Sequence, residues 1–144
     1  MKISTRGRYS LEALLYLALH TTEGSYMSIR DIAENTGVTE GYLEQLFIPL
    51  KKESLIQSIR GAQGGYQLGK NSKQIFVGDI LRAVEGTLEP VACIQTKKCP
   101  QESTCITRHL WGNIFSSMIE FIDSISLQDL VIAFNNMDKE EYAL

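Results

Sequence analysis

Apolar residues recur at helical spacing along the first third of the chain. Leu11, Leu14, Leu15 and Ala18 stand at i, i+3, i+4 and i+7, so residues 8–21 read as an amphipathic helix that Gly24-Ser25 breaks. Ser28 offers an N-cap for a second helix, with Asp31 completing an approximate capping box, and Ile29, Ile32 and Ala33 form its stripe. Asn35-Thr36-Gly37 ends it, since glycine takes the left-handed backbone that closes helices. Thr39 caps a third helix in which Leu43, Leu46, Phe47 and Leu50 repeat the apolar pattern. Pro49 lacks an N–H, which predicts a kink or early end there, with Lys51-Lys52 near the C-terminal dipole.

The pattern then changes period. Residues 55–59 and 66–68 read as two short strands, joined by the turn-rich Arg60-Gly61-Ala62-Gln63-Gly64-Gly65. Helical spacing returns at residues 76–84, with Val77, Ile80, Leu81 and Val84 on one face and Gly86 closing the element. Residues 87–104 lack periodicity. From about residue 104 to 125 a longer helix carries Ile114, Phe115, Met118, Ile119, Phe121, Ile122 and Ile125, apolar around much of its circumference. So much apolar surface needs cover on more than one side, and a second copy of the chain is the simplest cover. Ser126 and Asp129 cap a last short helical turn, and the tail beyond Val131 reads as polar and loosely ordered.

Two helices joined by a glycine-containing turn and followed by a β-hairpin give the order of a helix-turn-helix with a wing. The expected fold is therefore mainly α with a small β-hairpin: a winged helix-turn-helix domain at residues 1–86, a cysteine-containing loop at 87–104, a dimerisation helix and short cap at 105–131, and a flexible tail at 132–144. No stretch is apolar enough to span a membrane, and no signal-peptide pattern follows the basic N-terminus, which points to a cytoplasmic protein with no membrane partner.

The net charge of −3 argues mildly against nucleic acid until its distribution is considered. Residues 1–73 hold nine Lys/Arg against seven Asp/Glu, whereas residues 74–144 hold five against ten. Phosphate contacts are therefore sought in the first half, because clustered cations release counterions from DNA. On the third helix, Thr39, Glu40, Gly41 and Tyr42 occupy the N-terminal turn that usually reaches base edges, and Glu44 and Gln45 share the polar face with Ile48. Gln45 suits adenine and Glu44 suits the cytosine amino group, while Thr39 and Tyr42 suit phosphate or a thymine methyl. Arg60, flanked by Gly61 and Gln63 at the hairpin tip, suits a narrow minor groove, and Lys2, Arg6, Arg8 and Ser28 suit phosphates. The plain alternative is a solvated helix face and a surface charge.

Residues 64–70 spell G-x-x-x-x-G-K, but Asn71 stands where a magnesium-binding hydroxyl belongs, and strand-like residues replace the helix start, so no nucleotide site is expected.

Cys93, Cys99 and Cys105 are evenly spaced in the loop and are the chain's three cysteines. This is neither a disulfide framework nor a C-x-x-C zinc pattern, yet thiolates on a flexible loop can converge on a soft metal or cluster. Cys105 opens a helix, with Lys97, Lys98 and Arg108 nearby, features that lower a thiol pKa. His109 lies one helical turn beyond Cys105 and is a candidate fourth ligand. Three thiols merely tolerated in a reducing compartment are the alternative.

Several strings resemble the Rrf2 family of regulators: Met1-Lys2-Ile3-Ser4-Thr5-Arg6-Gly7-Arg8-Tyr9, Gly41-Tyr42-Leu43-Glu44-Gln45-Leu46-Phe47, residues 58–66, and Gly78-Asp79-Ile80 followed by Val84-Glu85-Gly86. The cysteine segment and Trp111 resemble its IscR-like iron–sulfur branch. The resemblance covers about residues 1–131. It implies a homodimer on double-stranded DNA and a two-iron or four-iron cluster on Cys93, Cys99 and Cys105. It also sets Glu44, Thr39, Tyr42 and Gln45 on the base-reading helix and Arg60 on the minor-groove wing. Where IscR-like members place a histidine three residues after the last cysteine, this chain has Arg108, then His109; where nitric-oxide-sensing relatives place an acid near position 8, it has Arg8, with Glu12 one turn on.

The reading is thus a homodimeric transcription regulator, not an enzyme, that senses iron–sulfur or redox status. The alternatives are a winged-helix protein-interaction module, which the acidic pI favours, and a cluster-free regulator of sulfur metabolism. A thiol enzyme or electron carrier finds no base–nucleophile pair or C-x-x-C to support it.

Overall fold

Ser4 starts the first helix: its hydroxyl accepts the Arg6 N–H, and α1 runs Thr5–His20, three residues earlier than the apolar spacing suggested. The structure, a computed structural model, describes residues 2–95 and 99–137. The buried face of α1 is Gly7, Ser10, Ala13, Leu14 and Leu17, while Leu11, Leu15 and Ala18 from the expected stripe are half-buried against the same core. The stripe broadened because α1 is central: the second, third, fourth and sixth helices and the hairpin all touch it.

Helix α2 (Ile29–Thr36) is capped by Ser28 and closed by Gly37 at φ 69°. Helix α3 (Glu40–Lys52) is capped by Thr39 and buries Leu43, Leu46, Phe47 and Leu50. It runs through Pro49 to Lys52 rather than ending early. Buried anchors on both sides of the proline, Leu46, Phe47 and Leu50, hold the segment in place against the missing donor. Each such fully buried side chain contributes roughly 1.5–3 kcal/mol.

Strands β1 (Ile56–Ile59) and β2 (Gly65–Leu68) pair antiparallel, with Ile56 opposite Leu68 and Ile59 opposite Gly65. Tyr66 also exchanges both backbone hydrogen bonds with Met27, at 2.8 and 2.7 Å, which ties the wing to the residue preceding the α2 cap. Gly65 permits this approach: a Cβ there would lie 2.3 Å from the Met27 carbonyl oxygen.

Helix α4 (Val77–Glu85) buries Gly78, Ile80, Leu81 and Val84 and stops at Gly86. Among the described residues of the cysteine segment, Ala92–Ile94 form a 3-10 turn. Helix α5 (Ile106–Ser124) then runs 19 residues without one buried side chain. Helix α6 (Leu127–Asn136) corrects the expected single turn and the flexible tail from residue 132. The Ser126–Asp129 capping box nucleates it, the fully buried Leu127 anchors it, a Phe76–Ser126 bridge ties its start to the start of α4, and it packs on α1. The part of the expected tail at 138–144 lies outside the described residues.

Candidate nucleic-acid interface and cysteine segment

Helices α2 and α3 meet through Gly37, Val38 and Thr39, with Val38 buried in the joint. This leaves Thr39, Glu40, Gly41, Glu44 and Gln45 exposed on α3. Ile48 shares the exposed set at 69% exposure, a large apolar side chain facing water to which no contact role follows from the sequence. Tyr42 is half-buried, its ring edge-on to Tyr9 at 6.1 Å. Arg8 lies over the Tyr9 ring at 4.8 Å and 4.0 Å from Glu12, so the start of α1 is brought beside the start of α3.

The wing is fastened to the helix pair. Lys51 Nζ donates to Ser58 Oγ at 2.6 Å, which joins the last turn of α3 to β1, a contact for which the sequence offers no spacing rule. At the tip Arg60, Gly61, Ala62 and Gln63 are all exposed, and Gly61 at φ 114° turns the chain. Lys2 and Arg6 are exposed too, and among the described residues Lys2, Arg6 and Arg60 form no ion pair. Ser28 spends its hydroxyl on Asp31, accepting its N–H at 3.1 Å and donating to its carboxylate at 2.6 Å, so it serves first as a cap. The G-x-x-x-x-G-K string runs through β2 into a loop, and the element that follows is the short turn Ser72–Gln74.

Cys93, Cys99 and Cys105 form no disulfide with one another and are half-buried. Cys93 lies in the 3-10 turn and Cys105 precedes α5. The Cys105 sulfur is 3.3 Å from Thr107 Oγ1. That hydroxyl, then the Arg108 backbone N–H, holds the thiol pKa below its ordinary value. Arg108 itself pairs with Glu102 at 3.1 Å. His109 is exposed, and Lys97 and Lys98 lie outside the described residues. Among the described residues no three His, Cys, Asp or Glu side chains gather at metal-binding distances, so Cys93, Cys99, Cys105 and His109 are not brought together. As donors, three thiols with one favoured as thiolate suit a soft metal or an iron–sulfur centre.

A capped helix pair with a clasped hairpin, followed by a helical arm, defines a winged helix-turn-helix protein. Residues 3–133 match the Rrf2 family, described as iron-dependent transcriptional regulators, and the chain belongs to that family. It is 38% identical over 131 residues to the HTH-type transcriptional regulator IscR of Pectobacterium atrosepticum, covering 91% of this chain and 79% of that one. Among solved structures, CymR, the global cysteine regulator of B. subtilis, superposes with a TM-score of 0.77 at 40% identity, covering 91% of this chain and 96% of the other. IscR of T. potens superposes with a TM-score of 0.75 at 37% identity, covering 100% and 93%. The likeness supports an IscR-like Rrf2 regulator. No helix among the described residues is long and apolar enough to cross a membrane.

Proposed function

We propose that this transcriptional regulator binds double-stranded DNA as a homodimer and reports iron–sulfur or thiol status through its cysteine segment. The carrying observation is that α3 packs against β1, with Lys51 bonded to Ser58, so that the exposed polar face of α3 and the Arg60 tip belong to one packed unit. In this reading Thr39, Glu40, Tyr42, Glu44 and Gln45 meet base edges or flanking phosphates, Arg60, Gly61 and Gln63 approach the minor groove, and Lys2, Arg6, Arg8 and the start of α2 at Ser28 neutralise phosphates. The dimer reading rests on α5, where Ile106 is 80% and Phe121 57% exposed in a single copy. A partner copy is the cover such surface calls for.

Cys93, Cys99 and Cys105 would hold the cluster, with His109 the candidate for the remaining position. A cluster supplies a centre whose assembly, loss or oxidation changes how this segment is held. Mobility-shift assays with genomic fragments test the DNA reading. Arg60→Ala is expected to cost roughly 1–3 kcal/mol of operator binding, and a protein-interaction module would bind no promoter fragment at all. A second reading, a cluster-free regulator of sulfur metabolism, draws on the likeness to CymR. Iron and sulfide analysis after anaerobic reconstitution separates the two: the sensor reading expects both elements and their loss in Cys99→Ala, and fails if reconstituted wild type takes up neither.

A further inference from the structure

Two of the motifs quoted above have no role in DNA reading or in thiol chemistry: Gly7 near the N-terminus and Glu85 at the end of α4. They meet in space. Glu85 Oε1 accepts three hydrogen bonds from the start of α1: the Ser4 N–H at 2.9 Å, the Ser4 hydroxyl at 2.6 Å and the Gly7 N–H at 3.1 Å. Helix α1 has no acidic residue in its own first turn, so a carboxylate 78 residues away in sequence from Gly7 does the work of a cap. That placement suits the physics of a helix start, where unpaired N–H groups and the positive end of the dipole favour an anion. Gly7 leaves room for the carboxylate to come this close, and a side chain there would displace it. A Cβ there would lie 2.6 Å from Glu85 Oε1 and 2.9 Å from Ile3 Cγ2.

The clasp falls between the residues that carry the basic arm. Lys2 precedes Ser4 by two positions, and Arg6 lies between the two anchored backbone groups, both side chains exposed. We infer that Glu85 is a positioning residue for DNA binding, fastening the start of α1 so that Lys2 and Arg6 are held where phosphates pass. The inference rests on the proposed DNA reading and adds to it a residue that touches no DNA. Without the clasp, Lys2 and Arg6 keep their charge but lose a fixed place, so phosphate contacts are lost while α3 reads bases as before.

The test is the salt dependence of operator binding by the full-length protein, followed by fluorescence anisotropy. Lys2→Ala and Arg6→Ala are each expected to flatten the slope of log K against log salt by about 1.8, the value of two phosphate contacts, one from each protomer of the dimer. Glu85→Ala is expected to flatten it as much as the Lys2→Ala/Arg6→Ala double variant, and to add nothing further when combined with it. The preference for the operator over a site altered under α3 should stay at its wild-type value. Glu85→Gln, which retains an oxygen acceptor of the same shape, should recover part of the slope. Gly7→Ala, which crowds the carboxylate from the other side, should mimic Glu85→Ala and serves if that variant does not fold.

A Glu85→Ala protein whose binding weakens at every salt with an unchanged slope has merely lost folded material, and the inference falls; an unchanged affinity sinks it equally. Wild type that binds no operator defeats the DNA reading itself. Lys2→Ala and Arg6→Ala slopes equal to wild type show that the arm meets no phosphate, and the positioning role falls with that contact alone.

Discussion

Thr107 sits in the first turn of α5 with its hydroxyl 3.3 Å from the Cys105 sulfur. A hydroxyl and a backbone N–H directed at sulfur stabilise the thiolate over the thiol, which lowers the pKa. A lowered pKa means that thiolate, the reactive and metal-binding form, is present at pH values where an ordinary cysteine is still protonated. Alkylation of Cys105 in a Cys93→Ala/Cys99→Ala protein should therefore begin below the ordinary thiol range. Thr107→Ala should move the midpoint of that pH–rate curve upward, and an unmoved midpoint would assign the effect to the helix start alone. The helix start and nearby cations predict a lowered pKa from the sequence alone. Thr107 was not legible there, because which rotamer aims a hydroxyl at a neighbouring sulfur is fixed by the folded backbone.

At the scale of elements, what is local in chain and chemistry was legible. The Ser28 and Thr39 caps, the stop at Gly37 and the hairpin are each decided within four or five residues, and each stands where the spacing put it. What depends on distant partners was not. Pro49 is carried by buried neighbours, α1 buries a wider face than its apolar stripe, and α6 is long because Leu127 finds the core. The wing gives a prediction of this kind. Gly65 has φ 153° and its Cβ position is filled by the Met27 carbonyl. Gly65→Ala should cost roughly 1–3 kcal/mol, the usual range for enforced backbone strain. Urea denaturation would read that loss, and operator affinity should fall with it as the hairpin detaches from Met27.

Over the whole molecule, the uncovered side chains of α5 make the strongest demand. Leu110 and Phe121 are each about half exposed, at 51% and 57%, on a helix with no buried residue. Charges placed at both positions should convert a dimer into monomers in sedimentation experiments and abolish tight binding to a two-half-site operator, while the wing domain keeps its thermal transition. An unchanged sedimentation coefficient would assign the surface to another use. Legibility at this scale was mixed: the greasy periodicity of α5 was plain in the chain, whereas the gathering of Cys93, Cys99 and Cys105 that the resemblance implied, with His109 that helical spacing suggested, is not a property of the described single copy.

The far end of α5 is the better secured. Arg82 Nη2 donates to Asp123 at 2.7 Å, Val77 N–H to the Ile125 carbonyl at 2.9 Å, and Leu127 N–H to the Ile75 carbonyl at 2.7 Å. Its other end starts at Cys105. The thiol thus stands a whole helix away from these bonds. At 19 residues α5 is roughly 28 Å long, so if its secured end serves as a fulcrum, a tilt of roughly 5° carries Cys105 roughly 2.5 Å. A small rotation at the wing domain would then be a large displacement at the sulfur, with leverage set by helix length rather than by the strength of any one bond.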